Sequence, residues 1–261
     1  MRLAAIQYKP PKGRPAQARR ELVTLVEAAG NEGAQIIVAP EMATTGYVWD
    51  SPQEIGPHTE PARGPTYEAL SPLARRFGAW IVCGFAERFI HPQASNAQRR
   101  QIATLYNSAL VINPAGELAT CYRKVLLYSA DTTWASPGWR RPICPTSLGR
   151  LTPAICMDIN DDAFVEFLGD TSPDILAFCT NWVEEGADVH AYWRDRLEGW
   201  RGWFIAANTW GEDRGTRFSG RSAIVDPDGN VVTEAGPDGN AVIIAEVDGP
   251  PPMLVSTPGD A

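Results

Sequence analysis

The chain has 261 residues, 44% of them hydrophobic, and a formal net charge of −8 at pH 7. This length is enough for one large domain over residues 1–261 that buries roughly three-quarters of the surface of the unfolded chain. The acidic balance argues against binding to nucleic acids or anionic membranes, and no apolar run approaches the length of a transmembrane helix.

Helices and strands are predicted in alternation over the first half of the chain. The spacing of the apolar residues changes between that of a helix and that of a strand, and proline or glycine marks most boundaries. The predicted elements are a strand over residues 3–8, a helix over 15–30, a strand over 35–39, a helix over 65–77, a strand over 79–85, a polar and mobile loop over 91–100, and a strand over 118–124.

The second half is predicted to contain more strands than helices. An apolar strand runs into residue 156, and a strand over 174–182, a helix over 189–203 and a strand over 204–210 follow. The sequence Pro-Asp-Gly-Asn occurs at residues 227–230 and 237–240, and both copies are hairpin signals that link three late strands. Many strands with only about four helices fit two packed sheets flanked by helices.

Three residues stand at the ends of predicted strands: Glu41 directly after one, and Lys124 and Cys156 as the last residues of two others. α/β folds place reacting groups at such strand ends. A helix that opens after Cys156 would also favour its thiolate over its thiol. Each residue has an ordinary structural explanation as well, because a free cysteine often fills a core, a glutamate can cap a segment and most lysines are solvated.

The three residues together supply what the hydrolysis of an unactivated C–N bond requires. A cysteine thiolate is a nucleophile, and a desolvated glutamate can move protons. A lysine ammonium, helped by a backbone N–H beside the nucleophile, can hold the developing oxyanion. None of the three histidines follows a predicted strand, so a Cys–His dyad is the weaker interpretation.

Short segments in a specific order make the chain resemble the nitrilase, or carbon–nitrogen hydrolase, superfamily, whose members use a Glu–Lys–Cys triad. These segments are residues 3–7, 40–47, 106–112, 122–124, 155–158 and 218–222. Each segment is short, but their order and spacing together are specific. The resemblance implies an α/β fold with four layers, an αββα sandwich in which two mixed β-sheets are flanked by helices.

Two details resemble one branch, the protein N-terminal amidases, which deamidate N-terminal Asn or Gln. These details are residues 106–128 and the sequence Cys-Met-Asp at 156–158. Carbamoylases typically carry paired arginines soon after the cysteine, and nitrilases proper carry a tryptophan directly after it; this chain has neither. The resemblance implies an amidase that releases ammonia through a cysteine thioester, from N-terminal Asn or Gln or from a small amide. An N-carbamoyl amino acid amidohydrolase and an inactive binding scaffold are the alternatives.

The resemblance also assigns catalytic roles. Glu41 is expected to be the general base, Cys156 the nucleophile, and Lys124 and the backbone N–H of Met157 the groups that hold the oxyanion. A second family acid corresponds to Asp131, which could instead only cap residues 132–134.

The substrate pocket is expected beside these groups. In the family, the end of the strand at residues 179–182 lines the pocket, and the expected lining residues are Tyr47, Trp134, Asn181 and Trp182. Glu184 and Glu185 follow, and they either attract a substrate ammonium group or form an exposed loop pair.

The mechanism implies no metal and no organic cofactor. The expected partner is a small amide or a peptide N-terminus, with no nucleic acid and no membrane. A homodimer is possible, although the chain ends soon after residues 241–247, where many relatives continue into a tail that crosses to a second subunit. Five cysteines without a CxxC pair suggest neither disulfides nor a zinc site, and a cytoplasmic location is the simplest interpretation.

Overall fold

The structure is a computed structural model that describes residues 1–91 and 103–248. The helices are α1 (Pro15–Asn31), α2 (Pro52–Ile55), α3 (Pro65–Phe77), α4 (Asp162–Thr171) and α5 (Val189–Arg196). The strands are β1 (Arg2–Gln7), β2 (Ile36–Val38), β3 (Trp80–Ile90), β4 (Ala103–Ile112), β5 (Leu118–Arg123), β6 (Cys144–Thr146), β7 (Gly149–Ile155), β8 (Ile175–Thr180), β9 (Trp203–Asn208), β10 (Trp210–Asp213), β11 (Thr216–Ser219), β12 (Ala223–Val225), β13 (Val231–Glu234) and β14 (Ala241–Glu246).

Two six-stranded mixed sheets form the centre of the molecule. The first sheet has the order β14-β1-β2-β3-β4-β5, and the second has the order β13-β12-β9-β8-β7-β6. In each sheet the three central strands are parallel (β1, β2 and β3 in the first; β7, β8 and β9 in the second), and antiparallel strands flank them. The parallel strands are mostly apolar because both faces of each sheet are covered.

Alternate residues along each strand point to opposite faces of the sheet and fill different cores. On β1, Leu3 and Ala5 face the second sheet and join the core between the sheets, while Ala4 and Ile6 pack beneath α1 and α3. On the outer face of the second sheet, α4 and α5 cover Leu176, Phe178 and Phe204. The layers are therefore helix, sheet, sheet and helix, which confirms the predicted αββα sandwich.

Most predicted elements are present with small changes at their ends. The helix predicted over 65–77 is α3, and the helix predicted over 15–30 extends by one residue. The strand predicted over 79–85 continues to Ile90 because it pairs with β4 along its whole length. Residues 92–100 of the predicted loop lie outside the residues that the structure describes.

Two predictions about the second half are wrong. The helix predicted over 189–203 ends at Arg196, because Gly199 adopts a φ of 89° and β9 begins at Trp203. The sequence at 227–230 does form a hairpin between β12 and β13. The sequence at 237–240 instead carries the chain from the second sheet to the first, where β14 pairs with β1, and the side chain of Gln7 donates hydrogen bonds to the carbonyls of Gly236 and Gly239 in this crossing.

Candidate active site

Strand ends from both sheets converge on one buried cluster. Glu41 follows β2 and Lys124 follows β5 in the first sheet, while Cys156 follows β7 in the second. Glu41 and Lys124 have no exposed surface, and Cys156 is 5% exposed. The three residues that the sequence singled out are therefore brought to the same region between the sheets.

Lys124 lies between two carboxylates. Its Nζ is 2.7 Å from Oε1 of Glu41 and 2.6 Å from Oδ2 of Asp131. Asp131 is also completely buried. A buried ammonium with two carboxylates has its charge more than balanced, so it remains protonated. An ammonium group has three N–H donors, so this lysine keeps one donor beyond its two carboxylate contacts.

Asn107, in the middle of β4, joins the same two carboxylates. Its Nδ2 donates to Oε1 of Glu41 at 2.6 Å and to Oδ1 of Asp131 at 2.9 Å. The sequence analysis did not single out this residue. The signal that could have identified it is an asparagine at the first position of the fully buried half of a strand, because a buried amide requires polar partners.

The side chain of Asp131 serves the cluster and does not cap residues 132–134. Besides Lys124 and Asn107, it accepts hydrogen bonds from the backbone N–H of Tyr128 at 3.0 Å and the hydroxyl of Tyr47 at 3.3 Å. The capping explanation of Asp131 therefore has no support in its contacts. Its contact with the lysine is direct and needs no bridging water.

Cys156, the predicted nucleophile, lies on a strained turn. Cys156 has a φ of 45°, a left-handed conformation that non-glycine residues seldom adopt, and it begins a 3₁₀ turn over Cys156–Asn160. Such strain persists where surrounding contacts fix it, and it clusters at functional sites.

Asp158 fixes this turn and ties it to the lysine loop. Its carboxylate accepts from the backbone N–H of Ile155 at 2.8 Å and the hydroxyl of Tyr122 at 2.6 Å. It also accepts from the backbone N–H groups of Val125 and Leu126 at 3.0 and 3.1 Å. Asp158 therefore links Ile155, which precedes Cys156, to Val125 and Leu126, which follow Lys124.

Burial and charge set the protonation states of the cluster. Burial raises the pKa of Glu41 to about 7, although Lys124 opposes this shift. For Lys124, burial lowers the pKa, but Asp131 and Glu41 outweigh it and raise the pKa well above its ordinary value. Burial and the charge of Glu41 raise the pKa of Cys156 to about 12, against the opposing effect of Lys124.

The prediction that a helix would favour the Cys156 thiolate is therefore wrong for the free protein. The next α-helix, α4, begins only at Asp162, and the desolvation of the thiol outweighs any helix dipole at that distance. The resting cysteine is a thiol, and a base must remove its proton.

A cavity of about 200 Å³ opens at the thiol. Four of the residues in its wall come from the predicted site: Cys156, Met157, Asn181 and Trp182. The volume lies below the ~300–1,000 Å³ of typical sites for drug-sized ligands, so a small molecule or the end of a larger one fits. Among the described residues, cavities of 320 and 610 Å³ elsewhere contain none of the catalytic candidates.

Tyr47 and Trp134, also expected in the pocket wall, are not part of this cavity. They pack with Met42 and Phe218 in a separate apolar cluster. The hydroxyl of Tyr47 still reaches the site through Asp131. Both residues therefore lie outside the wall of this cavity, and Tyr47 contacts the acid–lysine cluster through Asp131.

Among the described residues, those in the wall of the cavity include carboxylates but no lysine, arginine or histidine. Glu184 is paired with Arg217 at 2.7 Å, and Glu185 has no ion-pair partner among the described residues. Trp182 and Tyr192 form an aromatic side of the cavity, with ring centroids 5.4 Å apart.

Within residues 1–91 and 103–248, no three His, Cys, Asp or Glu side chains are grouped as a metal site would require. None of the helices in this part of the chain has the length and apolarity to cross a membrane.

The sequence model of the carbon–nitrogen hydrolase family matches residues 2–250. A protein N-terminal amidase of Schizosaccharomyces pombe is 26% identical over 87% of this chain and 91% of its own length. A probable nitrilase of the same organism is 29% identical over 77% of this chain and 71% of its own length. The structure resembles an amidase from Nesterenkonia sp. AN1 with a TM-score of 0.79, at 21% identity over 95% of this chain and 93% of that one. A mutant of that amidase carries the product of Michael addition of acrylamide at its active-site cysteine.

Proposed function

The chain belongs to the carbon–nitrogen hydrolase family, and from this premise we propose that it is an amidase that hydrolyses a carboxamide through a thioester on Cys156. The observation that carries the proposal is the buried cluster of Glu41, Lys124 and Asp131 beside a strained cysteine at the mouth of a cavity. This cluster contains a nucleophile, a base of suitable pKa and a cation for the oxyanion.

In the first half of the reaction, Glu41 takes the proton of the Cys156 thiol as the sulfur attacks the carbonyl carbon of the amide. The high pKa of the thiol makes thiolate formation unfavourable in the free enzyme, so proton transfer accompanies attack. Lys124, through its remaining N–H, and the backbone N–H of Met157 stabilise the tetrahedral oxyanion. Protonated Glu41 then gives its proton to the leaving nitrogen, the C–N bond breaks and ammonia departs.

In the second half, Glu41 removes a proton from water, and the resulting hydroxide attacks the thioester carbonyl. The same donors hold the second oxyanion. The C–S bond then breaks, the thiolate recovers the proton from Glu41 and the carboxylic acid product leaves. A pKa of about 7 suits a group that must both take and return a proton near neutral pH.

The substrate that we propose is an amide whose acyl part carries an ammonium group, such as an N-terminal Asn or Gln, or else is small and neutral. Glu184 and Glu185 place negative charge at the cavity, and Trp182 and Tyr192 offer aromatic faces to a cation. An N-carbamoyl amino acid carries a carboxylate, and the cavity wall provides no cationic side chain to receive it. The amidase proposal is therefore favoured over the carbamoylase alternative.

Matched substrates test this proposal. Ammonia release should be measured from dipeptides that begin with Asn or Gln, from their N-acetylated forms, from propionamide and from N-carbamoyl amino acids. We expect free-amine dipeptides to be cleaved better than acetylated ones. Glu185 is exposed, so its charge should contribute little. In Glu185→Gln, the ratio of kcat/KM for free-amine over acetylated dipeptides should fall by only about two- to fivefold, mainly through a change in KM. Faster turnover of carbamoyl amino acids would overturn the substrate proposal.

The inactive-scaffold alternative is tested by alkylation of Cys156 together with the amide assays above. Iodoacetamide should alkylate Cys156 in the wild type, and peptide mass spectrometry should locate the label. A wild-type protein that is neither labelled at Cys156 nor able to hydrolyse any of these amides would be a scaffold.

A further inference from the structure

The amide of Asn107 is the feature of the cluster that the proposed mechanism does not use. Both hydrogens of Nδ2 are committed, one to Oε1 of Glu41 and one to Oδ1 of Asp131. Asn107 is completely buried, and its Oδ1 has no hydrogen-bond partner in the part of the chain that the structure describes. An unpartnered buried carbonyl is costly, so the two donor contacts must compensate for it.

The four side chains form a closed ring. Going round it, Lys124 contacts Glu41 and Asp131, and Asn107 contacts the same two carboxylates, at the same oxygen of Glu41 and at the other oxygen of Asp131. The ring contains two negative charges and one positive charge in a site with no solvent contact. Two neutral N–H donors from one amide therefore supply the stabilisation that a second cation would otherwise give.

The ring also makes the two oxygens of Glu41 unequal. Oε1 accepts from both Lys124 and Asn107, which uses its two lone pairs. Within residues 1–91 and 103–248, the one donor to Oε2 is the backbone N–H of Asn181, at 2.8 Å, which leaves one lone pair of Oε2 free. The oxygen of Glu41 that is free to take a proton is therefore Oε2.

We propose that Asn107 is a positioning residue of the reaction, because its amide holds Glu41 and Asp131 in place around Lys124 and directs proton transfer to Oε2 of Glu41. This inference rests on the proposed role of Glu41 as the base. The other titratable groups that face Glu41 are Lys124, Asp131, Tyr47, Cys156 and Cys179. None of them donates to both carboxylates except Lys124, so no other group can replace the bridging amide.

The test compares Asn107→Leu, which has a similar volume but no donors, with Ser108→Ala on the same strand. The hydroxyl of Ser108 donates to Glu87 at 2.8 Å, so the control also loses a buried hydrogen bond, but away from the ring. The rate of Cys156 alkylation by iodoacetamide is measured from pH 5 to 9 because it needs no known substrate. Where an amide is turned over, the pH profile of kcat/KM is measured as well.

In Asn107→Leu, the acid limb of both profiles should move up by about one pH unit or more, since a charge-assisted hydrogen bond to Glu41 is lost. The limb should not move in Ser108→Ala. Adding Asp131→Asn to Asn107→Leu removes the competing carboxylate, so the limb should return toward its wild-type position while kcat stays low. Asn107→Asp is a second, isosteric variant in case Asn107→Leu does not fold, and it should move the limb at least as far.

Two outcomes are distinguishable. If wild-type Cys156 is not alkylated at all, the proposed nucleophile fails. The other outcome is that wild-type Cys156 is alkylated and that the acid limb of its pH profile has the same position in Asn107→Leu and Asn107→Asp. Asn107 would then be only a packing residue, and the inference would be overturned.

Discussion

The backbone N–H of Asn181 donates a hydrogen bond to Oε2 of Glu41 at 2.8 Å. Asn181 directly follows β8 of the second sheet, and Glu41 follows β2 of the first. The proposed base is therefore held by the backbone of the opposite sheet, and its position depends on how the two sheets pack. The interior between packed sheets has low compressibility, so this hydrogen bond holds the Glu41 carboxylate in a well-defined position.

Replacement of the nucleophile should abolish turnover and leave the fold intact. Cys156→Ala removes the sulfur but keeps a side chain in the left-handed conformation, whereas Cys156→Gly also relieves that strain. Neither variant should hydrolyse any amide. The glycine variant should unfold at a temperature at least as high as the alanine variant, because a left-handed non-glycine residue costs about 1 kcal/mol or more. Thermal unfolding and ammonia release are the measurements.

The acyl-enzyme provides a second check on Cys156. Wild-type protein incubated with an amide and hydroxylamine should form a hydroxamate by capture of the thioester. Turnover within about tenfold of wild type in Cys156→Ala would contradict nucleophilic catalysis, whose loss removes the whole pathway.

Glu41→Gln keeps the shape of the base but cannot accept a proton. We expect kcat to fall by roughly 10²–10⁴ with little change in KM. The pKa of Glu41 is raised to about 7 in the folded protein, so kcat/KM of the wild type should rise with pH through that value. A variant in which only KM changed would exclude Glu41 as the base.

The same pKa shift makes a prediction about stability. A carboxyl group with a raised pKa in the folded state stabilises the fold fully below its ordinary pKa of 4.5, and this contribution is lost as the pH rises to about 7. The unfolding temperature of Glu41→Gln should therefore improve relative to the wild type between pH 4.5 and pH 8. A difference that does not change with pH would show that Glu41 has an ordinary pKa in the folded protein.

Asp131→Asn should reduce kcat by at least about tenfold, because it removes one charged partner of Lys124 and turns a donor toward either Lys124 or Asn107. Asp131→Glu should retain more activity, since it keeps the charge. Tyr47→Phe is the control: it removes only the 3.3 Å hydrogen bond from Tyr47 to Asp131 and should change kcat by about threefold or less. Wild-type kinetics in Asp131→Asn would leave the reaction to Glu41, Lys124 and Cys156 alone.

Asp158→Asn should destabilise the nucleophile turn and the lysine loop together. One amide oxygen cannot accept from all four donors that the carboxylate receives, so we expect a loss of about 3 kcal/mol in the free energy of unfolding. Tyr122→Phe removes only one of the four hydrogen bonds and should cost about 1 kcal/mol. Chemical denaturation gives both values, and equal losses would mean that the backbone contacts of Asp158 contribute nothing.

From the sequence, the resemblance to the family predicted the four layers, and the strand pattern predicted the three strand-end residues. Apolar runs that end in Glu41, Lys124 and Cys156 carry local information, since a buried strand and its polar end are adjacent in the chain. The same locality explains why α3 and the 227–230 hairpin were predicted correctly. It also explains why the helix predicted over 189–203 is too long: Trp200 and Trp203 continue the helical spacing of Trp193, although the helix itself ends at Arg196.

Only the tertiary structure decided which distant residues complete the site. Asn107 and the backbone of Asn181 reach Glu41 from strands that are 66 and 140 residues away in the chain, and nothing local to either residue indicates this partner. The protonation of Cys156 was likewise decided by burial, which overrides the local effect of the following turn and helix. Hydrogen bonds and desolvation depend on distances in space, so side-chain roles that rest on them become visible only once the two sheets are packed.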